Sequence, residues 1–347
     1  MLIPMNSEIL IKIKAVWLSR PLLTMIVATC LFSCSSCKDD SPTDPEQRTI
    51  LSGPMVFLPV GSLKSPQGIA VDATGNVWVA DTRNNRLRRF TAAGALTDSI
   101  VVTQPSNVAV DKRTGDLLVI ENGTTVSRFL VQTKTLLASY SLNPFGGNSS
   151  AVFDVGNRSS TSIRVDVREL GDIDSSPTGD IFVSARGAPA NCAIRILNGN
   201  VSALAASSVD SATTTARFLA VDPFGTVFTS FSFSRGPAST TLVYSLSPGN
   251  ITQSHSLNEP LVSGTARGAA IDASGQLYIA DPATQEMIVI STASEKTMRR
   301  YIIPDTNGFS MVPREVAVAS DGTVYVVVND RLGTDAGAVL KYTRVSQ

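Results

Sequence analysis

The sequence has few of the residues from which metal and nucleophile sites are usually built. Its only histidine is His255, so a histidine-rich zinc site cannot be assembled. There is no G-x-S-x-G nucleophile motif, no phosphate-binding glycine loop and no paired-cysteine metal site. His255 stands in the stretch SHSLNEP, for which we predict an outer strand or a loop. Carboxylates and arginines are therefore the candidate site residues.

Disulfides, net charge and helical periodicity are also scarce. Three of the four cysteines lie at positions 30, 34 and 37 and Cys192 stands alone, so no disulfide framework is predicted. Acidic and basic residues balance at 29 each, which argues against a nucleic-acid partner. Beyond residue 50 the chain is rich in Val, Thr and Ser and has no long helical periods. We therefore predict an all-β fold held together by core packing.

The N-terminus has the pattern of an exported protein. Basic residues precede an apolar run at 21–32 that is too short to span a membrane, which predicts a signal peptide over residues 1–33. Leu31-Phe32-Ser33-Cys34 resembles the lipobox of bacterial lipoproteins, with Cys34 as the lipidated residue and Cys30 and Cys37 as weaker candidates. The alternative is a transmembrane anchor, whose span would have to include Arg20.

Residues 34–50 are predicted to be a lipidated cysteine followed by a disordered tether. They carry charges and prolines without an apolar pattern. Lys38-Asp39-Asp40 resembles the acidic export tag of surface lipoproteins in Bacteroidetes-type bacteria. We expect a lipid-anchored protein at the bacterial outer membrane or cell surface, in contact with the membrane through its anchor only.

The stretch 66–90, PQGIAVDATGNVWVADTRNNRLRRF, is a unit that the rest of the chain repeats. A strand ending in Val-Asp leads through a turn closing on glycine into a second strand, and a third strand follows. In the third copy, Ile173-Asp174 takes the Val-Asp position. The turn glycines lie at 75, 115, 179, 225, 275 and 322. Such spacings are typical of propeller blades, so we predict a six-bladed β-propeller of four-stranded antiparallel blades over residues 51–347.

Two segments fall outside the repeats. Residues 56–63 form a strand-like stretch before the first copy, and residues 338–345 give the last copy a third strand but no fourth. We predict that 56–63 supplies the outer strand of the last blade and closes the ring. The insertion at 143–167 has alternating apolar pieces typical of a hairpin, and it is either a functional loop or decoration.

The first copy resembles the NHL repeat. Pro66, Gly68–Asp72, Gly75-Asn76, Val79–Asp81 and Asn84–Arg86 match its pattern. The fifth copy matches over residues 267–281 and then departs from the pattern. The resemblance implies a six-bladed propeller over about 50–345. It does not imply one activity, because NHL propellers serve as binding platforms, RNA readers and enzymes.

Propeller geometry brings two repeat positions to one mouth of the central channel. The candidate ligand-binding residues at these positions are Gln67, Asp81, Glu121, Glu169, Arg217, Arg267, Asp281 and Arg314. The hypothesis is that the three arginines form a crescent that binds a carboxylate or another anion. The alternative is that they form structural ion pairs with Asp281, Glu169 and Glu315.

The repeated aspartates at 72, 111, 174, 222 and 272 lie at strand-to-turn junctions, where a carboxylate caps the turn amides. We therefore interpret them as structural rather than as metal ligands. Asn84, Asn85 and Arg86 are likewise expected to order their loop.

The function predicted is that of a monomeric binding or scaffold module of the cell envelope for a protein, a glycan or a small anionic ligand, without a cofactor. The alternative is a metal-assisted hydrolase or lyase of the gluconolactonase-like propeller type. In that case calcium would be held by Glu121, Glu169, Asp81 and Asp281.

Overall fold

A computed structural model describes residues 50–142, 151–154, 162–188, 192–206, 218–235, 238–247, 250–256 and 266–345. The predicted signal peptide, Cys34, the tether up to residue 49 and Arg217 lie outside these residues. No helix within the described residues is long and apolar enough to cross a membrane. The described chain forms a ring of six antiparallel blades, so the predicted six-bladed β-propeller is confirmed.

In blades 1 to 5 the four blade strands run in chain order from the channel outwards. Two strands, β1 (Ile50–Leu51) and β2 (Met55–Lys64), precede blade 1. Blade 1 consists of β3 (Pro66–Val71), β4 (Val77–Asp81), β5 (Arg86–Phe90) and β6 (Leu96–Val101). Blade 2 consists of β7 (Pro105–Val110), β8 (Leu117–Glu121), β9 (Thr125–Leu130) and β10 (Thr135–Ser141). Strand β11 (Ala151–Asp154) precedes blade 3, which consists of β12 (Ser162–Ser175), β13 (Ile181–Ala188), β14 (Cys192–Leu197) and β15 (Asn200–Ala206).

Blade 4 consists of β16 (Leu219–Val221), β17 (Val227–Arg235), β18 (Ala238–Ser247) and β19 (Asn250–Ser256). Blade 5 consists of β20 (Ala269–Ile271), β21 (Gln276–Asp281), β22 (Glu286–Ser291) and β23 (Lys296–Ile302). Blade 6 contains β24 (Met311–Val318), β25 (Val324–Asp330) and β26 (Ala336–Tyr342), and β27 (Arg344–Val345) follows it. His255 lies on β19, the outer strand of its blade, as predicted.

Blade 6 is completed by the N-terminal strand β2, which pairs antiparallel with β26 from Met55–Lys341 to Lys64–Ala336. Ahead of it, β1 pairs with β27. The predicted closure by residues 56–63 is therefore confirmed. It covers the outer edge of β26, which would otherwise expose unpaired backbone groups.

The hydrophobic core is divided into layers between neighbouring blades. On β4, Val77 and Val79 pack against blade 6, whereas Trp78 and Ala80 pack against blade 2. The same alternation recurs on β21, where the side chains at 277 and 279 face blade 4 and those at 278 and 280 face blade 6. Successive side chains of a strand point to opposite faces, and each blade has a neighbour on both. The strands therefore read as continuous apolar runs.

The described part of the insertion contains the predicted pair of antiparallel strands. Strand β11 pairs with the first residues of β12, from Ala151–Val165 to Asp154–Ser162. It adds a short fifth strand to the sheet of blade 3.

The turn aspartates cap backbone amides, as the sequence predicts. Asp72 accepts hydrogen bonds from the amides of Thr74 and Asn76, each at 3.0 Å. Asp222 and Asp272 accept from the amides two and four residues ahead, at 2.7–2.9 Å. The structural interpretation is therefore confirmed for these positions.

Blade 3 departs from the predicted frame by two residues. Ser176 closes its turn. The backbone amide of Ser176 donates to the backbone carbonyl of Asp180 at 2.9 Å, as the amide of Asp72 donates to the carbonyl of Asn76 in blade 1. Asp174 instead accepts from the Lys112 ammonium and the Val221 amide, both at 2.7 Å, and so ties blades 2, 3 and 4 together. The position that corresponds to Gln67 is consequently Gly171 and not Glu169.

Candidate functional site

A cavity of about 80 Å³ lies where the inner strands begin, and we call it the mouth cavity. It brings together four of the predicted site residues, Gln67, Glu169, Arg267 and Arg314. The other lining residues come from blades 2, 3 and 6 and are Ser106, Asn107, Leu170, Gly171, Arg186 and Glu315. Five of the six blades therefore contribute side chains or backbone to this one small space.

Positive charge predominates around the mouth cavity. Arg186, Arg267 and Arg314 line it together with two carboxyl groups. One of these, Glu169, pairs with Arg186 at 2.9 Å, and both side chains are about half exposed. Arg186 was missed in the sequence analysis because the repeat position aligned with Asp81 is Ala185, and Arg186 is the next residue along β13.

Asp81 serves a different purpose from the one predicted. It is fully buried. Its carboxylate accepts hydrogen bonds from the amide of Lys64 at 2.7 Å and from Asn84 at 2.8 Å, and it pairs with Arg88 at 2.7 Å. Asp81 therefore fixes the chain entering blade 1 and the loop that leaves β4, and it does not line the mouth cavity.

Glu121 and Asp281 also bond within their own blades. Glu121 accepts a hydrogen bond from the Ser127 hydroxyl, and buried Asp281 accepts from the amide of Ala283 at 3.1 Å. Neither lines the mouth cavity. Within the described residues, no group of three or more His, Cys, Asp or Glu residues is placed to hold a metal ion. The predicted calcium set of Glu121, Glu169, Asp81 and Asp281 is therefore not assembled.

Beneath the mouth cavity, three buried polar side chains meet on the channel axis, and we call Asn107, Asp172 and Glu315 the axial cluster. The Asn107 amide nitrogen donates to Asp172 Oδ1 at 2.9 Å and to Glu315 Oε2 at 2.8 Å. All three side chains are at most 3% exposed. The cluster separates the mouth cavity from a larger cavity below it, and Asn107 and Glu315 line both.

Backbone amides from four blades hold the two acids of the axial cluster. Asp172 accepts from the amides of Ile173 at 2.8 Å, Leu219 at 2.7 Å and Ala269 at 3.3 Å. Glu315 accepts from the amide of Val316 at 2.9 Å. Loss of hydration on burial raises the pKa of both carboxyls well above their usual range, and the charge of Asp172 raises that of Glu315 further. The pair thus keeps a proton to higher pH than exposed carboxyls do.

The axial cluster occupies one repeat position, four residues before the turn residue. Blades 1 and 5 have glycine there, which makes room for the cluster. A Cβ on Gly68 would lie 2.6 Å from the Asn107 Cα, and one on Gly268 would overlap the Glu315 carboxylate. The sequence signal that could have found the cluster is the replacement of this repeat glycine by polar residues in blades 2, 3 and 6.

Comparison with known proteins agrees with this architecture. Residues 63–90 match the NHL repeat model. The match covers the end of β2 and the first three strands of blade 1. No curated protein sequence matches the chain.

Solved structures match the fold at low sequence identity. A gluconolactonase from Xanthomonas campestris is 12% identical with a TM-score of 0.59, over 84% of this chain and 89% of that one. A streptogramin B lyase is 12% identical with a TM-score of 0.54, over 86% and 99%. Regucalcin from Agrobacterium tumefaciens, a calcium-binding protein, is 14% identical with a TM-score of 0.51, over 85% and 96%. At these identities the likeness establishes the propeller fold alone.

Proposed function

We propose that the protein is a lipid-anchored binding module of the bacterial cell envelope, and that its propeller binds an anionic group at the channel mouth. The observation that carries the proposal is the mouth cavity, in which Arg267 and Arg314 meet Gln67 and Ser106. The predicted signal peptide, Cys34 and the tether support the location. The rigid ring of blades supports the binding role, because it fixes these side chains relative to one another.

The chemistry of the mouth favours a carboxylate over a neutral or cationic group. A guanidinium carries several N–H donors in a planar fork that matches a carboxylate, so an arginine already engaged with one partner keeps donors for a ligand. Gln67 and Ser106 add neutral donors. The three arginines outnumber the two carboxyl groups, and the raised pKa of Glu315 reduces the opposing negative charge.

The size of the mouth cavity indicates how much of the ligand enters it. A volume of about 80 Å³ accommodates a carboxylate and its nearest atoms. Pockets that enclose whole small molecules usually measure about 300–1,000 Å³. We therefore propose that the carboxylate of the ligand lies in the cavity and its remaining atoms lie in solvent, and we take a sugar acid, either free or at the end of a glycan, as the class to test.

The test compares Arg267→Ala/Arg314→Ala with a control that removes the same charge elsewhere. Lys296→Ala/Arg299→Ala, on the exposed outer strand of blade 5, is that control. Isothermal titration calorimetry with glucuronate, glucuronate-terminated glycans and glucose measures the affinity. We expect glucuronate binding to weaken at least about tenfold in the mouth variant, because each charge-assisted hydrogen bond contributes about 1.5–3 kcal/mol. Unchanged affinity in the mouth variant, or equal binding of glucose, contradicts the proposal.

The axial cluster supports a second candidate function, that of a hydrolase or lyase. Buried carboxyl groups with raised pKa values are typical of sites that hold or transfer a proton near neutral pH. Glu315 lines the mouth cavity, so a protonated Glu315 could act as a general acid on a substrate bound there. Gluconolactonase and streptogramin B lyase, two of the structural neighbours, are named for reactions of these types.

The axial cluster does not fit a calcium ion as it is arranged. Calcium takes about six to eight oxygen ligands. Asn107 turns its amide nitrogen toward both carboxylates, so an N–H donor already lies between them. Turnover of a lactone panel, with and without calcium chloride, tests this candidate. Turnover that Glu315→Gln abolishes would support it, and turnover that survives the substitution would assign the activity elsewhere.

A further inference from the structure

A second cavity, of about 550 Å³, lies on the other side of the axial cluster, and we call it the lower cavity. Its walls are the inner strands of blades 1, 2, 3, 5 and 6. Alanine, valine and isoleucine make up most of the lining, for example Ala70, Val110 and Ile271. Its volume lies within the range of pockets that enclose whole small molecules, about 300–1,000 Å³.

The inner end of the lower cavity is acidic. Asp172 and Glu315 both line it. The charges nearer its opening are largely paired, since Asp174 bonds Lys112 at 2.7 Å and Asp111 bonds Arg128 at 2.8 Å. Arg113 also lines the cavity near its opening. Asp172 and Glu315 thus place carboxyl groups at the inner end of a cavity whose walls are mainly apolar.

Two buried carboxyls on one axis are costly for a folded protein. Removing an ion from water costs several kcal/mol unless an opposite charge compensates it. Burial and the charge of Asp174 raise the pKa of Asp172, and burial and the charge of Asp172 raise that of Glu315. Neutral amides donate hydrogen bonds to both carboxyls. A cationic group arriving through the lower cavity would supply the opposite charge.

The arrangement selects an ammonium group over a metal ion. Asn107 already presents N–H donors to both acids, and an ammonium uses the same donor chemistry from the opposite side. A metal ion would need further oxygen ligands, which the apolar walls do not provide. It would also leave most of the cavity unfilled, whereas an apolar body fills it and is removed from water.

We propose that the lower cavity binds a compact apolar molecule carrying a primary ammonium group, with the ammonium against Asp172 and Glu315 and the apolar body against the inner strands. This site is distinct from the one proposed for the anionic ligand at the channel mouth, although Asn107 and Glu315 line both cavities. It lies on the far side of the axial cluster and would bind a ligand of opposite charge.

The test uses three probes that differ at one end, namely 2-phenylethylamine, 2-phenylethanol and 3-phenylpropionate, with calcium chloride as a fourth. Calorimetry and thermal unfolding are measured on the full chain. We expect the amine to bind and to raise the Tm, and the alcohol and the acid to bind at least about tenfold more weakly. Equal binding of the three aromatic probes overturns the proposal. Stabilisation by calcium chloride without stabilisation by the amine overturns it in favour of a metal site.

Two variants locate the binding site. Ile271→Trp fills the half-buried wall of the lower cavity, and Ile302→Trp adds the same bulk on an exposed outer strand. We expect the first to abolish amine binding and the second to leave it unchanged. Glu315→Gln removes one acid and should weaken the amine at least about tenfold. If Glu315→Gln fails to fold, the tryptophan pair still decides, because full amine affinity in Ile271→Trp contradicts the proposal.

Discussion

The inner strands of blades 1 and 5 carry glycine at the repeat position where those of blades 2, 3 and 6 carry Asn107, Asp172 and Glu315. Blade 1 contains the stretch that matches the NHL repeat, and its Asp72 and Asp81 bond within the blade or to the chain entering it. The other three blades depart from the repeat and send side chains to the axis. In this molecule the glycine-carrying copies leave room at the axis, and the irregular copies supply the axial cluster.

The largest effect is expected at a carboxylate that belongs to the ring. Asp81→Ala leaves Arg88 and the Lys64 amide without their buried partner, so the free energy of unfolding should fall by about 3–5 kcal/mol. Denaturant unfolding measures it. Folded Asp81→Ala should still bind glucuronate with unchanged affinity. If Asp81→Ala loses glucuronate binding while its stability is unchanged, Asp81 is a ligand-binding residue of the mouth site after all.

A smaller loss is expected when a glycine blade is made to resemble the others. Gly268→Ala places a methyl group where the Glu315 carboxylate lies, which should cost about 1–3 kcal/mol. Gly53→Ala is the control, because no atom lies within 4 Å of the added Cβ. Combining Gly268→Ala with Glu315→Ala should recover part of the loss. Additive losses in the double variant would show that the two positions do not compete for space.

The axial cluster should make the protein less stable as the pH rises. In the unfolded chain both acids ionise above about pH 4–4.5, whereas the folded pair holds its protons to higher pH. The folded state binds more protons in this window, so the contribution of the pair to stability falls as the pH rises. Between pH 5 and 8, wild type should therefore lose more stability than Glu315→Gln does. Denaturant unfolding at both pH values measures it, with Glu295→Gln as the surface control.

The smallest effect is expected at the turns, where blade 1 has an aspartate and blade 3 a serine. Burial raises the pKa of Asp72, but hydrogen bonds from Thr74, Asn76 and Trp78 together outweigh it and lower the pKa. The stability that Asp72 contributes is therefore present above about pH 4 and lost as the pH falls through the lowered value. Asp72→Ala should cost about 1 kcal/mol at pH 7 and less at pH 3, measured by denaturant unfolding. Ser176→Ala should lower the free energy of unfolding by the same amount at pH 7 and at pH 3.

Much of the fold could be predicted because it rests on local patterns. Alternating apolar runs and turn glycines specify the blades, and an unmatched strand at each end of the domain specifies the closure that β2 and β26 make. Asp172 was missed because Ser176 replaces the turn aspartate of blade 3, and counting from Asp174 shifted the frame by two residues. In blade 3, a single replaced turn residue was enough to misalign the repeat with the other copies.

The site was predicted in part for a related reason. Gln67, Arg267 and Arg314 follow from the repeat frame and do line one cavity. Asp81, Glu121 and Asp281 share a frame position that sequence alone cannot orient. Whether such a carboxylate faces the channel or bonds its own loop depends on partners such as Arg88 and Ser127, which only the folded chain brings into reach.

The pairing of β1 and β2 with the last strands has a mechanical consequence. Tension on the chain ahead of residue 50 reaches the pairs Ile50–Val345 and Leu51–Arg344 before any blade. Behind them, Arg344 also bonds Asp272 of blade 5, so the C-terminal strand is fastened to a second blade. Such tension would therefore be shared between β1, β2 and the last strands, and the short β1–β27 pair would yield before the channel is deformed.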